Sequence, residues 1–369
     1  MSYPFHRKII SAAVANNYSF ALCKLPRNRI IRTYIANEKP EETVVKTRIN
    51  RCFLFSEFDN GHNALMLKPA VYFEDEKLIG DEDKMVYSLL LNPIKANSNN
   101  QLYYPSKKAN SYSSEVKYSN LVNQSVEAIE TGEFKKIVAA RCFENKLDNH
   151  FDAVKYFHTL CETYNNAFIY FFSSPEIGTW IGATPEKLVT VDIDTLQTVA
   201  LAGTLEKNSP TDWTKKEREE QAHVENFIST IFANNGISDF DKGKVQTIAA
   251  GNLRHLQTSF SWQADPEIIQ NIFAAFLKEL NPTPAVCGLP KLESAAFIKK
   301  NEGFERRFYS GFAGIADHHS THLFVNLRCM ELMKEEAILY AGAGIVAQSD
   351  AKNEWLETEK KMQTLGSLL

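Results

Sequence analysis

Long apolar runs are missing from this 369-residue chain. None approaches the ~20 residues that a membrane-crossing helix requires. The opening MSYPFHRKIISAAVANNYSF holds no apolar core of signal-peptide length. Excess positive charge is missing too: 41 Lys and Arg stand against 45 Asp and Glu, a formal net charge of −4. With no basic patch interleaved with aromatics, nucleic acid is not an expected partner. Cysteine is sparse: Cys23, Cys52, Cys142, Cys161, Cys287 and Cys329 include no CxxC and no close pair. That pattern predicts reduced core thiols in a cytoplasmic protein and argues against a disulfide framework. Repeats of solenoid length are absent. Gly342 and Gly344 follow a strand pattern, but no glycine pair opening a helix comes after them, so a dinucleotide fingerprint is absent as well.

What is present is an ordinary soluble composition, 44% apolar and 23% charged. Length alone would suggest two or three units at ~150 residues each. The one internal stretch with boundary character is 93–117, rich in Ser, Asn and Lys; it reads as a long, mobile surface loop within one domain. Before it lie strand-like runs at 19–25, 52–58 and 64–73. After it, apolar periodicity predicts helices at about 117–131, 152–164, 213–233 and 266–279, and another ending near Asn301. Strands are predicted at 135–143, 167–173, 178–183, 187–193, 196–202, 308–316, 322–329 and 337–344. Their short connections point to antiparallel sheets, hence an α+β chain.

Candidate chemistry begins near the C-terminus, in Leu339 to Lys361. This stretch reads as a strand ending in a Gly-Ala-Gly turn, then a helix opening at Ser349 and Asp350. On that helix Glu354, Glu357 and Lys361 share one face, which suits a hard cation beside an anionic ligand. Taken alone, a solvated charge run explains the same residues. Glu217 and Glu220 form a second Glu-x-x-Glu pair on helix 213–233, and two such pairs could meet around one Mg²⁺. In 322–329, Phe324, Asn326 and Arg328 share a strand face, making Arg328 a candidate carboxylate clamp or an arginine tied to a structural acid. Lys136 opens strand 135–143 above small residues and is either a shielded base or an exposed strand-start lysine. Glu186, after the Thr184-Pro185 bend, is either a general acid or a turn glutamate. His318, His319 and His322 (HHSTH) lack nearby carboxylates and read as turn residues.

Together these segments resemble one family, the chorismate-utilising enzymes, and within it the isochorismate synthases. The resemblance rests on KIVAAR (136–141), IGATPEKLV (181–189), ALAGT (200–204), KEREEQ (216–221) and NPTPAVCGLP (281–290). ERRFYSGFAG (305–314), FVNLRC (324–329), YAGAGIV (340–346) and EWLETEKK (354–361) continue it in the family's order. It implies a single large domain of two face-packed antiparallel sheets with outer helices. Residues 1–115 would be its variable N-terminal part and 116–369 the chorismate-binding catalytic core. It further implies Mg²⁺ held mainly by Glu220 and Glu357, with Glu217 and Glu354 nearby. Arg328, Lys361, Tyr309 and the Gly344 backbone would hold substrate carboxylates, with Gly203 and Thr204 lining the ring pocket. Lys136 would be the base that activates water and Glu186 the acid that protonates the departing hydroxyl.

Relatives that add ammonia typically carry Gln where this chain has Lys136, and aminodeoxychorismate synthases carry a nucleophilic Lys where it has Ala202. The implied product is therefore isochorismate, destined for quinone or siderophore synthesis, made by a monomer without an amidotransferase subunit. A salicylate synthase is the first alternative. An anthranilate or aminodeoxychorismate synthase component and a non-catalytic metabolite-binding relative are the others. Two positions depart from the family pattern: Gln221 and Asn281 stand where histidine is usual.

Overall fold

Phe168–Ser174 and Gly178–Thr184 are buried at every position, which requires cover on both faces of the sheet they share. The computed structural model supplies that cover. It describes residues 3–80, 83–91, 102–104, 113–206, 212–250 and 253–369; the side chains of residues 204, 206, 216, 249, 250 and 253 are not described. Most of the polar stretch at 93–117 thus lies outside the described residues.

In chain order the elements begin with α1 (Tyr3–Ala15), β1 (Ser19–Lys24), β2 (Ile31–Ala36), β3 (Glu41–Val44), β4 (Cys52–Ser56), β5 (Asn63–Leu67), β6 (Val71–Glu74), β7 (Lys77–Leu78), α2 (Lys84–Leu91) and α3 (Glu115–Glu130). Then come β8 (Lys136–Lys146), α4 (Ala153–Thr163), β9 (Phe168–Ser174), β10 (Gly178–Thr184), β11 (Lys187–Asp192), β12 (Thr195–Glu206), α5 (Lys215–Asn234), β13 (Asp241–Lys242), β14 (Gln246–Ala250) and β15 (Leu253–Gln263). The chain closes with α6 (Pro266–Leu280), β16 (Gly288–Leu289), α7 (Lys291–Asn301), β17 (Phe312–Ala316), β18 (Ser320–Val325), β19 (Cys329–Leu332), β20 (Glu336–Ile345) and α8 (Ala351–Gly366).

The strands form two antiparallel sheets. The first runs β16-β8-β20-β19-β10-β9-β1-β2-β6-β7, and the second β13-β15-β12-β11-β18-β17-β4-β5-β3, with β14 on β15. Their inner faces meet in an aromatic layer in which Phe168 stacks on Phe324 at 4.6 Å and Phe53 lies 5.8 Å from Phe172. Helices α1, α2 and α4 cover the first sheet, α5 and α6 the second, while α3 and α8 close over β8 and β20. This is the α+β, two-sheet, single-domain architecture expected. None of the six cysteines is in a disulfide, and five are buried. Among the described residues no helix is long and apolar enough to cross a membrane.

Four strand expectations need correction. The run 64–73 is two strands, β5 and β6, broken at Lys68-Pro69-Ala70 because proline cannot continue the ladder. Residues 308–311 form a turn ahead of β17. The expected strand 322–329 stops at Val325, and Cys329 already belongs to the other sheet. Gly342-Ala343-Gly344 is the interior of β20, paired with Ala140, Ala139 and Val138, and not a turn. Helices α1 and α2 and strands β2 and β15 have no counterpart among the expected elements.

Candidate active site

The chemistry gathers where the chain crosses between the sheets. One crossing, Pro185-Glu186, links β10 to β11; the other, Asn326-Leu327-Arg328, links β18 to β19. They are laced together: Ala183 N–H donates to Arg328 O at 2.8 Å, Val325 N–H to Glu186 O at 2.9 Å, and Thr184 Oγ1 to Val325 O at 2.5 Å. Glu186 and Arg328, 142 positions apart in the numbering, therefore sit side by side on adjoining crossings. Buried Asn326 joins this lacing to the turn carrying Tyr309. Its Nδ2 donates to Phe308 O at 3.0 Å, and its Oδ1 accepts from Tyr170 OH at 2.9 Å.

β8 and β20 bring in the lysine. Gly344 is the partner of Val138 in the ladder, and a Cβ on Gly344 would lie 2.8 Å from Lys136 Cε, so the side chain of Lys136 crosses the space this glycine leaves. Gly342 makes comparable room for the Tyr309 hydroxyl, 2.9 Å from where its Cβ would be. Lys136 Nζ ends 2.6 Å from Glu220 Oε1 on α5. α8 opens at Asp350, whose side chain accepts from Asn353 N–H at 3.0 Å. It is fastened to β8 by Arg141, which is fully buried, 3.5 Å from the Trp355 ring centroid, and bonded to Thr358 Oγ1 at 2.7 Å and Glu359 at 2.9 Å. That docking turns Glu357 and Lys361 toward the crossings. Lys361 Nζ donates to Glu357 Oε1 at 2.5 Å and to Gly342 O at 2.8 Å.

Burial pushes Glu186 up to about 7, against the opposing pull of Arg328, Lys136 and Lys361. Burial acts to raise Glu357 as well, but adjacent Lys361, with Arg328 and Lys136, outweighs it and holds that carboxylate below its ordinary value. Burial draws Lys361 down, opposed by Glu357 and reinforced by Arg328 and Lys136. Arg328 is lowered by burial, offset by Tyr309, Glu186 and Glu357, and remains charged because guanidinium does not deprotonate in proteins. Burial drives Tyr309 up to about 12 despite Arg306 and Arg328 nearby. The site thus combines one carboxyl, Glu186, raised toward neutrality, with one, Glu357, held ionised, and with Arg328 as a permanent cation.

Lys136, Glu186, Glu220, Arg328, Glu357 and Lys361, and with them Tyr309, Gly342 and Gly344, are brought together. Glu354 lies near the site, in the first turn of α8, where its charge is felt by Tyr118. Glu217 is engaged within its own helix, where its Oε2 accepts Thr214 N–H at 2.9 Å and the Thr214 hydroxyl, completing a capping box on α5. Gly203 lies at φ +64° beside the bulge of β12, its carbonyl 2.9 Å from His255 Nδ1; the side chain of Thr204 lies outside the described residues. His255 is not among the residues expected from the sequence. It belongs to β15 and is lowered by burial, against the Gly203 bond, with Arg328, Lys361 and Glu220 also acting on it.

The two departures point elsewhere. Gln221 donates to Thr258 Oγ1 at 3.0 Å under the second sheet, and Asn281 to Gly61 O at 2.9 Å. His318 and His319 sit in a turn in which Asp317 Oδ1 accepts from His319 N–H and Ser320 N–H, both at 2.8 Å. They border a separate cavity of about 620 Å³ that includes none of the groups above.

The fit to a hard cation rests on Glu220 and Glu357. Each already cradles a cation, a lysine ammonium, and carboxylate oxygens are the donors that suit Mg²⁺. Among the described residues no three His, Cys, Asp or Glu side chains form a ready-made cage.

Comparison with known proteins adds the lineage. The isochorismate synthase MenF of Escherichia coli (strain K12) is 29% identical over 268 residues, 68% of this chain and 60% of that protein. The isochorismate synthase EntC of the same organism is 26% identical over 262 residues, 67% of this chain and 66% of that protein. The matched part therefore spans less than two thirds of these relatives' length. Among solved structures, MenF, the menaquinone-specific isochorismate synthase from Escherichia coli, superimposes with a TM-score of 0.76 at 20% identity, covering 97% of this chain and 91% of that one. Anthranilate synthase component I from Streptococcus pneumoniae superimposes at 0.68 and 19% identity, covering 94% and 90%. The model of the family described as chorismate binding enzyme matches residues 75–369. Spanning most of the sequence and every residue of the site just described, that match establishes that the chain belongs to the chorismate binding enzyme family.

Proposed function

We propose that this protein is an isochorismate synthase, an isomerase that converts chorismate to isochorismate with Mg²⁺. The observation that carries the reading is the meeting of Glu186, titrating near 7, with Lys136, Arg328 and Lys361 in one site. A general acid works best when its pKa lies close to the working pH, and this carboxyl meets that condition. The activity named for the two Escherichia coli relatives supports the same reaction.

Arg328 and Lys361 supply the cations for the two substrate carboxylates, Arg328 in a bidentate fashion that only a guanidinium allows. The Tyr309 hydroxyl and the Gly344 backbone complete that cradle, with Gly203 and Thr204 beside the ring. In its neutral amine form Lys136 takes a proton from water as the water oxygen bonds to C2. Glu186, protonated near neutrality, gives its proton to the C4 hydroxyl, which leaves as water while the diene electrons shift between the two carbons. Glu220 and Glu357 would hold Mg²⁺, with Glu217 and Glu354 at or behind them, and the bound ion would supply charge to neutralise the ring carboxylate. Glu220 also orients Lys136 through their 2.6 Å contact.

The test is product analysis after incubating pure protein with chorismate and MgCl₂. Isochorismate as the sole product supports the reading. Salicylate with pyruvate would move the assignment to a salicylate synthase. No consumption of chorismate with any divalent cation would overturn it.

A further inference from the structure

Among the described residues, the strand that carries Lys136 has a full-length neighbour on one edge and a two-residue one on the other. One edge of β8 pairs with β20 from Ile137 to Lys146. On the other edge the described residues supply two-residue β16, at Lys136 and Ile137, extended by Lys135 N–H to Leu289 O and Val138 N–H to Cys287 O, both 2.8 Å, and further along Ser113 N–H to Cys142 O at 3.3 Å. The groups that follow Val138 N–H on that edge are the Val138 carbonyl and the Ala140 N–H. Their residues are 4% and 1% exposed, and buried backbone groups need partners.

Side chains provide them. Arg306 Nη2 donates to Val138 O at 2.7 Å, and Ala140 N–H donates to Glu302 Oε1 at 2.9 Å. Arg306 and Glu302 are bonded to each other, Nε to Oε2 at 2.8 Å and Nη2 to Oε1, with side chains 3% and 1% exposed. Arg306 Nη1 also holds Val286 O at 2.7 Å, and the guanidinium lies 4.4 Å from the centroid of the Phe58 ring. A buried ion pair is not favoured for stability alone, because desolvation offsets the attraction and a well-packed apolar pair often does as well. What an apolar pair cannot do is offer a donor and an acceptor in the register of a strand edge.

The position of this pair matters for the site. Lys136, Val138 and Ala140 alternate onto one face of β8, so a slide or twist at 138–140 carries Lys136 with it. The Arg306 carbonyl also accepts Tyr309 N–H at 2.9 Å, opening the turn that presents the tyrosine. We propose that Glu302 and Arg306 are positioning residues which, by taking the place of strand pairing at Val138 and Ala140, fix β8 and hence Lys136 against Glu220. The kinetic part of this inference rests on the reaction proposed above; the splinting of β8 does not.

The test uses the double variant Glu302→Met/Arg306→Met, which removes both charges together, and Arg306→Lys, which keeps charge balance if the double variant does not fold. Amide hydrogen exchange should accelerate in peptides spanning 136–146 and stay unchanged in the strands of the second sheet. With chorismate, kcat should fall at least about tenfold, the equivalent of roughly 1.4 kcal/mol, while KM stays within about threefold. Unchanged exchange in 136–146 would refute the splint. Faster exchange there with kcat unaltered, or a change confined to KM, would refute the link to Lys136. Failure of the unaltered chain to turn over chorismate would overturn the proposed function and the role of Lys136 with it, and the exchange data would still decide whether the pair holds the strand.

Discussion

A Cβ on Gly344 would stand 2.8 Å from Cε and 3.3 Å from Nζ of Lys136. The atoms in the way belong to a flexible side chain and not to backbone, so the strand can keep its register while the lysine moves. Gly344→Ala should therefore leave the melting temperature within a few degrees, a change of roughly 1 kcal/mol or less, and displace Nζ from Glu220. Turnover of chorismate should drop by about tenfold or more, as expected for a misplaced reacting group. A variant with full kcat would show that Lys136 does not act from this position.

The same pair of residues marks how far the sequence can be read. The nine ordered segments resemble the family, and through that resemblance single out Lys136, Glu186, Arg328, Glu357 and Lys361, which the fold gathers in one place. The architecture around them is harder to see. Arg328 reads as a strand residue since Leu323, Val325, Leu327 and Cys329 alternate, yet apolar alternation continues across a crossing whose two ends are buried in different sheets. Gly342 and Gly344 resemble a turn because nothing in the sequence reveals that Tyr309 and Lys136 fill the space of their absent side chains. Glu217 stands i, i+3 from Glu220, and Thr214, three residues before it, is the sequence sign of the capping box that Glu217 completes. His255 carries no local signal, since its relation to Gly203 depends on the pairing of β12 with β15.

Metal dependence should respond to Glu357 before turnover does. Its carboxylate is held ionised by Lys361 at 2.5 Å, with Arg328 and Lys136 near, despite burial. Glu357→Gln removes the charge and retains the shape, leaving Lys361 with a weaker acceptor. The MgCl₂ concentration for half-maximal activity should rise about tenfold or more, roughly 1.4 kcal/mol, with a smaller effect on kcat at saturating metal. Isothermal titration of Mg²⁺ into the protein checks the same change without turnover. Unaltered metal binding in both measurements would remove Glu357 from the ligand set.

The pH dependence of stability should carry the signature of Glu186. Its folded pKa is raised by burial from 4.5 to about 7, so the folded state holds the proton more tightly than the unfolded chain. The stabilisation linked to that proton is complete below about 4.5 and is lost as pH rises through about 7. Glu186→Gln cannot lose it. The variant should therefore gain stability relative to the parent between pH 5 and pH 8, by at most about 3 kcal/mol before solvent at its partly exposed edge reduces the figure. Urea unfolding at several pH values measures this, and parallel curves for the two proteins would refute the raised pKa. Parent turnover should decline above about pH 7 as the acid loses its proton, and Glu186→Gln should be inactive throughout.

Arg141 offers a case in which the obvious ion pair is not the main contribution. Glu359, its carboxylate partner at 2.9 Å, is 49% exposed, whereas the arginine side chain is fully buried. An exposed partner contributes little, because water competes for it and salt screens it. The bond to Thr358 Oγ1 and the stacking over Trp355 are buried and bind α8 directly to β8. Arg141→Met should then destabilise the protein by about 2 kcal/mol, from a charge-assisted hydrogen bond and a cation–π contact. Glu359→Ala should cost less than about 1 kcal/mol. Because Glu357 and Lys361 ride on the same helix, Arg141→Met should also weaken Mg²⁺ activation, and Glu359→Ala should not. Equal destabilisation by the two variants in urea unfolding would mean that the surface pair, and not the buried stack, fastens α8 over the site.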